Sequence, residues 1–148
     1  MFELYTGALN PCELYNKWFY KLKNENCGAL LTFCGIVRAE NNISGLSFEI
    51  YEPILKIWFD NWCQKVAKHD VKLCFAHSIG DVKNHESSYF IAVLSKKRKL
   101  GLTLLNNFVE DFKANAPIWK YDLVDNKKIY KLNESQKLPS AGILYEKN

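Results

Sequence analysis

Segments with strand character outnumber helical ones in this chain and stand next to each other, and that adjacency restricts what it can fold into. Gly28–Val37 (GALLTFCGIV) is a short, nearly continuous apolar run, and Leu46–Tyr51 follows with Phe48 and Ile50 on one face. The two are expected to pair across the polar loop from Ala39 to Gly45. Further on, Val71, Leu73 and Phe75 alternate, and Tyr89–Ser95 forms another apolar run. Parallel strands need a long crossover between them, whereas strands close in sequence join as antiparallel pairs. The expected class is therefore α+β, with a mostly antiparallel sheet rather than a doubly wound parallel one.

Three helices fit between these strands. Asn10-Pro11-Cys12-Glu13 combines a capping side chain, proline at the first helical position and an acid two residues later, and Leu14, Trp18 and Leu22 then recur at helical spacing. That helix is read from about Pro11 to Lys23. A second begins at Pro53 with Ile54, Ile57, Trp58, Trp62 and Val66 on one side. A third carries Leu100, Leu104, Leu105, Phe108 and Phe112 inward and ends before Pro117. Short extended pieces near Ile118–Leu123 and Lys128–Leu132 complete the chain. With 148 residues, 48% apolar and no repeat or linker, residues 1–148 read as one domain, with a loosely held tail from about residue 133 to 148. No stretch approaches the roughly 20 apolar residues of a membrane span, and the start lacks a signal-peptide pattern, so a cytoplasmic protein is expected.

Net charge is only +4, but all 20 basic residues except Arg38 and Arg98 are lysines. Compositional bias toward lysine is one explanation. The other is that arginine appears only where its planar fork of donors is needed, in which case the two arginines should converge in one pocket. Arg98 lies in Lys96-Lys97-Arg98-Lys99, where a strand gives way to a helix; cations there oppose the helix dipole, so the run reads either as a solvated charge patch or as an anion site. Arg38 follows the first apolar run. Lys113, in the last turn of the third helix, is favoured there by the dipole alone. Together with Lys120, beside Trp119, it is also a candidate for a lysine of altered acidity.

Other reactive side chains give weaker signals. His77, in HSIGD, and His69 and His85 are read as structural or surface residues, and Trp58 and Trp62 as core or interface. Cys12, Cys27, Cys34, Cys63 and Cys74 are odd in number and contain no C-x-x-C pair, so neither a disulfide framework nor a metal site is expected, and no resident cofactor is called for. Most are read as small buried hydrophobes.

GALLTFCGIVR (Gly28–Arg38), FEIY (Phe48–Tyr51), HSIGDV (His77–Val82), IAVLSKKR (Ile91–Arg98) and FKANAPIWK (Phe112–Lys120) occur in an order and spacing that resembles the large, catalytic subunit of molybdopterin synthase, over about residues 27–132. The resemblance implies an α/β hammerhead-type two-layer fold with an additional small sheet. It also implies a homodimer within a heterotetramer, with a small ubiquitin-like sulfur-carrier subunit ending in Gly-Gly at each end. The implied activity is a sulfurtransferase reaction of molybdenum-cofactor biosynthesis. Sulfur passes from the carrier's C-terminal thiocarboxylate to cyclic pyranopterin monophosphate, forming the molybdopterin dithiolene. On this likeness Lys113 is the essential lysine beside the carrier's terminal carbonyl, Lys120 supports it, and Arg38, Lys97 and Arg98 bind the substrate.

Three positions depart from the family pattern. Lys97 stands where the family has histidine, which leaves an anion-binding cation but a poor proton shuttle at neutral pH. Lys83-Asn84-His85-Glu86 replaces a glycine-containing turn, and Asn133-Glu134 stands near a basic residue that the family supplies from the neighbouring protomer, with Lys131 or Lys137 as substitutes. The alternative from another class is a non-catalytic basic module that binds RNA or another polyanion through residues 96–99.

Overall fold

A computed structural model describes residues 1–130, so the expectations for Lys131, Asn133, Glu134, Lys137 and the tail lie outside the described residues. Ten elements follow in the order β1 (Phe2–Thr6), α1 (Pro11–Leu22), β2 (Ala29–Ile36), β3 (Gly45–Ile50), α2 (Glu52–Ala67), β4 (Lys72–Lys83), β5 (Ser87–Ser95), α3 (Arg98–Asn115), β6 (Ile118–Val124) and β7 (Lys127–Tyr130). The strands form one seven-stranded sheet in the order β2-β5-β4-β3-β6-β7, with β1 beside β4. Every pairing is antiparallel except that of β1 with β4.

The α+β class and the antiparallel sheet agree with the sequence reading, but one pairing does not. β2 pairs with β5, from Ala29 opposite Ser95 to Ile36 opposite Ser87, and β3 pairs with β4 and β6 instead of β2. β2 thereby becomes an edge strand beside the fully buried β5 rather than half of an isolated two-stranded ribbon, which is marginal on its own.

β4 joins the two halves of the sheet. Its first half, up to His77 opposite Tyr89, pairs with β5; its second half, from Gly80 opposite Phe48, pairs with β3, and Gly80 between them has φ +80. The small sheet of β3, β6 and β7 is thereby continuous with the large one.

Strand alternation sends two sets of side chains to two cores. Leu73, Phe75, Tyr89, Ile91 and Val93 meet Leu55, Phe59, Trp62, Phe108 and Phe112 of α2 and α3. Cys74, Ala76, Phe90, Ala92 and Leu94 meet Leu14, Trp18 and Leu22 of α1 on the opposite face. Covered on both faces, β5 is buried at all nine positions, which explains its unbroken apolar run.

α1 starts as its chemistry dictates, with Asn10 Oδ1 accepting from the Glu13 N–H at 3.3 Å and proline at the start. α2 is rotated from the expected face. Leu55, Phe59, Trp62 and Val66 are buried, while Ile54 and Ile57 are exposed. The pivot is Asp111 on α3, which accepts from both Trp62 Nε1 (2.6 Å) and Trp58 Nε1 (2.9 Å) and thereby aligns α2 against α3.

Candidate active site

Lys113 is the centre of the described constellation. α3 ends at Asn115, and Ala116 and Pro117 turn the chain straight into β6, so Lys113 and Lys120 are delivered by one continuous helix–turn–strand unit. The Lys113 ammonium stands over the Tyr89 ring, 5.0 Å from its centre. Tyr89 lies parallel to Phe33 (5.8 Å, 14°) and to His77 (6.1 Å, 7°), and Phe112 packs at 4.8 Å.

Lys120 stands opposite Phe48 in the β3–β6 register, and directly opposed residues project from the same face of a sheet. Phe48 in turn meets the His77 ring edge-on at 4.9 Å. A floor of Phe48, His77, Tyr89 and Phe112 thus lies beneath this end of the molecule, with Lys113 at one side and Lys120 on the strand beside it.

His77 is structural, as its sequence context suggested. Burial pushes its pKa down to about 4, opposed by its hydrogen bond to the Ser78 carbonyl and assisted by the Lys113 charge. Its Nδ1 lies 2.7 Å from that carbonyl oxygen, so the neutral ring donates from Nδ1. Burial also raises the Tyr89 hydroxyl to about 12. The floor is therefore uncharged at neutral pH beneath the Lys113 ammonium.

Arg38 leaves the same end of the sheet. The backbone of the preceding Val37 is clamped to the β4–β5 turn, where Val37 N–H donates to the Glu86 carbonyl (2.9 Å) and His85 N–H donates to the Val37 carbonyl (2.7 Å). His85 adopts φ +71 in this turn, a left-handed conformation that favours glycine. Val37 itself is buried with Phe48 and Val82, next to the floor. The Arg38 side chain is exposed and pairs with Glu40 at 2.9 Å, an interaction weak enough for an anionic ligand to replace.

Lys97 and Arg98 are elsewhere. Lys97 caps the start of α3 without a side-chain cap bond and Arg98 is its first residue, while Lys96 is engaged by Asp70 at 2.6 Å. Ser95 lies opposite Ala29, whereas Arg38 follows Ile36, opposite Ser87. The two arginines therefore sit at opposite ends of the β2–β5 pair, and both are exposed. Within one chain the expected convergence does not occur, because an eight-residue strand holds its ends about 23 Å apart.

Sequence reasoning missed the floor. Tyr89 and Phe112 look like ordinary core residues in sequence, and only Gly35 hinted at the site: a Cβ there would lie 2.0 Å from Tyr89 Cε1, so the glycine makes room for that ring. The cysteines are also more varied than expected. Only Cys74 is buried, Cys27, Cys34 and Cys63 are half-buried, and Cys12 is exposed.

Known proteins resemble this chain over nearly its whole length. The MoaE protein family matches residues 9–115. A molybdopterin synthase catalytic subunit from Helicobacter pylori is 47% identical over 144 residues, spanning 97% of this chain and 99% of that protein. The chain belongs to the MoaE family, the catalytic subunits of molybdopterin synthase. Its place in this family makes it a sulfur-transferring enzyme.

A solved structure described as the protein–protein complex of subunits 1 and 2 of the molybdopterin-converting factor from H. pylori superposes with a TM-score of 0.90 at 47% identity, covering 97% of this chain and 98% of that one. Molybdopterin synthase from Staphylococcus aureus, at 23% identity, shares the fold with a TM-score of 0.75 over 88% of this chain and 96% of that one. No helix among the described residues is long and apolar enough to cross a membrane.

Proposed function

We propose that this MoaE-family chain, in the cytoplasm, transfers sulfur from the C-terminal thiocarboxylate of a small carrier subunit ending in Gly-Gly to cyclic pyranopterin monophosphate, with Lys113 and Lys120 as the catalytic pair. The observation that carries the proposal is that one helix–turn–strand unit bears both Lys113 and Lys120 and holds the Lys113 ammonium over an uncharged aromatic floor. A thiocarboxylate and a phosphorylated pterin are both anions. Cations over an apolar floor attract both, and they stabilise the negative charge that develops on the acyl oxygen as sulfur leaves. In each transfer the sulfur bonds to a pterin carbon and water then adds to the acyl carbon, breaking the acyl C–S bond and leaving the carrier with a terminal carboxylate, so two successive carriers supply the two sulfurs of the dithiolene.

Lys113 is assigned to the carrier's terminal carbonyl, Lys120 supports it, and Arg38 binds the pterin or its phosphate. Lys97 and Arg98 belong to the same substrate site through the second copy of a homodimer, because α3 holds them at the end remote from Lys113. The H. pylori relative, solved as a complex of two different subunits, supports the carrier as a partner and a heterotetramer as the assembly. The polyanion-binding alternative has no support: Lys96 is paired to Asp70, and the family match points to the enzyme.

The deciding experiment incubates the protein with thiocarboxylated carrier and cyclic pyranopterin monophosphate and measures dithiolene product. Lys113→Ala is expected to lower the rate by about 100-fold or more. Equal rates for wild type and Lys113→Ala would remove Lys113 from the mechanism.

A further inference from the structure

We infer that Tyr89 is the positioning residue for Lys113, its ring face fixing the ammonium where an anionic acyl group is met. The inference rests on the role proposed for Lys113, and it adds a residue that the likeness to the family did not supply. Lysine carries its charge on a flexible four-carbon stem, so a catalytic lysine needs something that narrows its positions. The Tyr89 face lies 5.0 Å from Lys113 Nζ, within cation–π range. An aromatic face attracts an ammonium through its quadrupole without neutralising its charge.

The ring is suited to the task because other residues pack closely around it. Phe33 and His77 lie parallel to it at 5.8 and 6.1 Å, and Phe112 packs at 4.8 Å. The ring also lies against Gly35, where even a methyl group would overlap it. Tyr89 is 7% exposed, in a strand buried along its whole length. The same helix that presents Lys113 also presents Phe112, its sequence neighbour, to the ring, so helix end and platform are packed as a unit.

The test combines a spectroscopic readout with kinetics. In the free protein, the Lys113 Cε protons are expected to resonate upfield because of the Tyr89 ring current. Tyr89→Leu should abolish that shift and Tyr89→Phe should keep it. In single-turnover sulfur transfer with thiocarboxylated carrier, Tyr89→Leu should slow the chemical step about 10-fold with carrier affinity maintained. Tyr89→Phe should recover most of that loss.

The absence of a ring-current shift in the wild-type protein would overturn the inference without any variant, even if Tyr89→Leu fails to fold. So would a Tyr89→Leu enzyme as fast as wild type while Lys113→Ala is inactive, or a Tyr89→Phe enzyme as slow as Tyr89→Leu. A Lys113→Ala enzyme at the wild-type rate would instead refute the proposed role of Lys113, and the ring-current measurement would still decide whether Tyr89 places the ammonium.

Discussion

Arg98 opens α3 and Lys113 lies in its last turn, so the helix itself, rising about 1.5 Å per residue, keeps the two cations about 22 Å apart. A bound pterin cannot bridge that distance. If both act on one substrate, they come from different copies of the chain. Arg98→Ala and Lys113→Ala homodimers are each expected to be nearly inactive. Reassembled together, they should recover roughly a quarter of wild-type dithiolene formation, since half of randomly assorted dimers are hybrids with one intact site of two. No recovery from dimers shown to be hybrid would place the two residues in separate functions.

Acid sensitivity should reveal His77. Its pKa is about 4 in the fold, mainly because burial disfavours the charged ring, against 6.5 as the ordinary value. Between those limits the unfolded chain binds the extra proton, so stability rises with pH there: it is complete above about 6.5 and lost as the pH falls toward 4. The total is on the order of 3 kcal/mol. Urea unfolding at about pH 7 and pH 5 should show roughly half of this difference in wild type, and His77→Phe should flatten it.

A second acid transition belongs to Asp111. Burial works against its ionisation, but hydrogen bonds from Trp62, Asn115 and Trp58 outweigh it and hold the carboxyl below its ordinary 3.8. Its contribution is therefore present above about pH 3.8 and lost as the pH falls through the lower folded value, beneath the His77 range. Asp111→Ala leaves two indole N–H groups without their acceptor and is expected to lower stability by about 2 kcal/mol at neutral pH. Thermal unfolding followed by tryptophan fluorescence measures it, and Asp111→Asn should lose less.

Sulfur transfer should survive without any protein cysteine. The carrier brings the sulfur, and burial raises the thiols of Cys74, to about 11, and of Cys63, which leaves little thiolate at neutral pH. A variant with Cys74→Ala and the other four cysteines changed to serine is expected to retain dithiolene formation. Loss of product in a variant with wild-type circular dichroism would overturn the carrier assignment.

Local chemistry made some of the molecule legible in advance. α1 could be placed from Asn10, Pro11 and the spacing of Leu14, Trp18 and Leu22, and the end of α3 from Pro117, because capping and proline sterics act within a few residues. β1 was not foreseen. Its five residues become a strand only through the parallel partner β4, to which Met1 and Phe75 hold it. The face of α2 was misjudged because its apolar residues occupy more than one side, and the hydrogen bonds of Trp58 and Trp62 to Asp111 settle the rotation.

By itself the sequence determined the α+β class, the helix ends and the likeness of the segment from Phe112 to Lys120 to a catalytic family, since all of these are written in short-range order. Tertiary structure alone decided that β2 joins β5, that Arg98 is remote from Lys113, and that Tyr89 lies beneath the Lys113 ammonium. Strand partners and site contacts join residues far apart in the chain. Which of them meet depends on how the whole apolar surface is best buried, not on any local pattern.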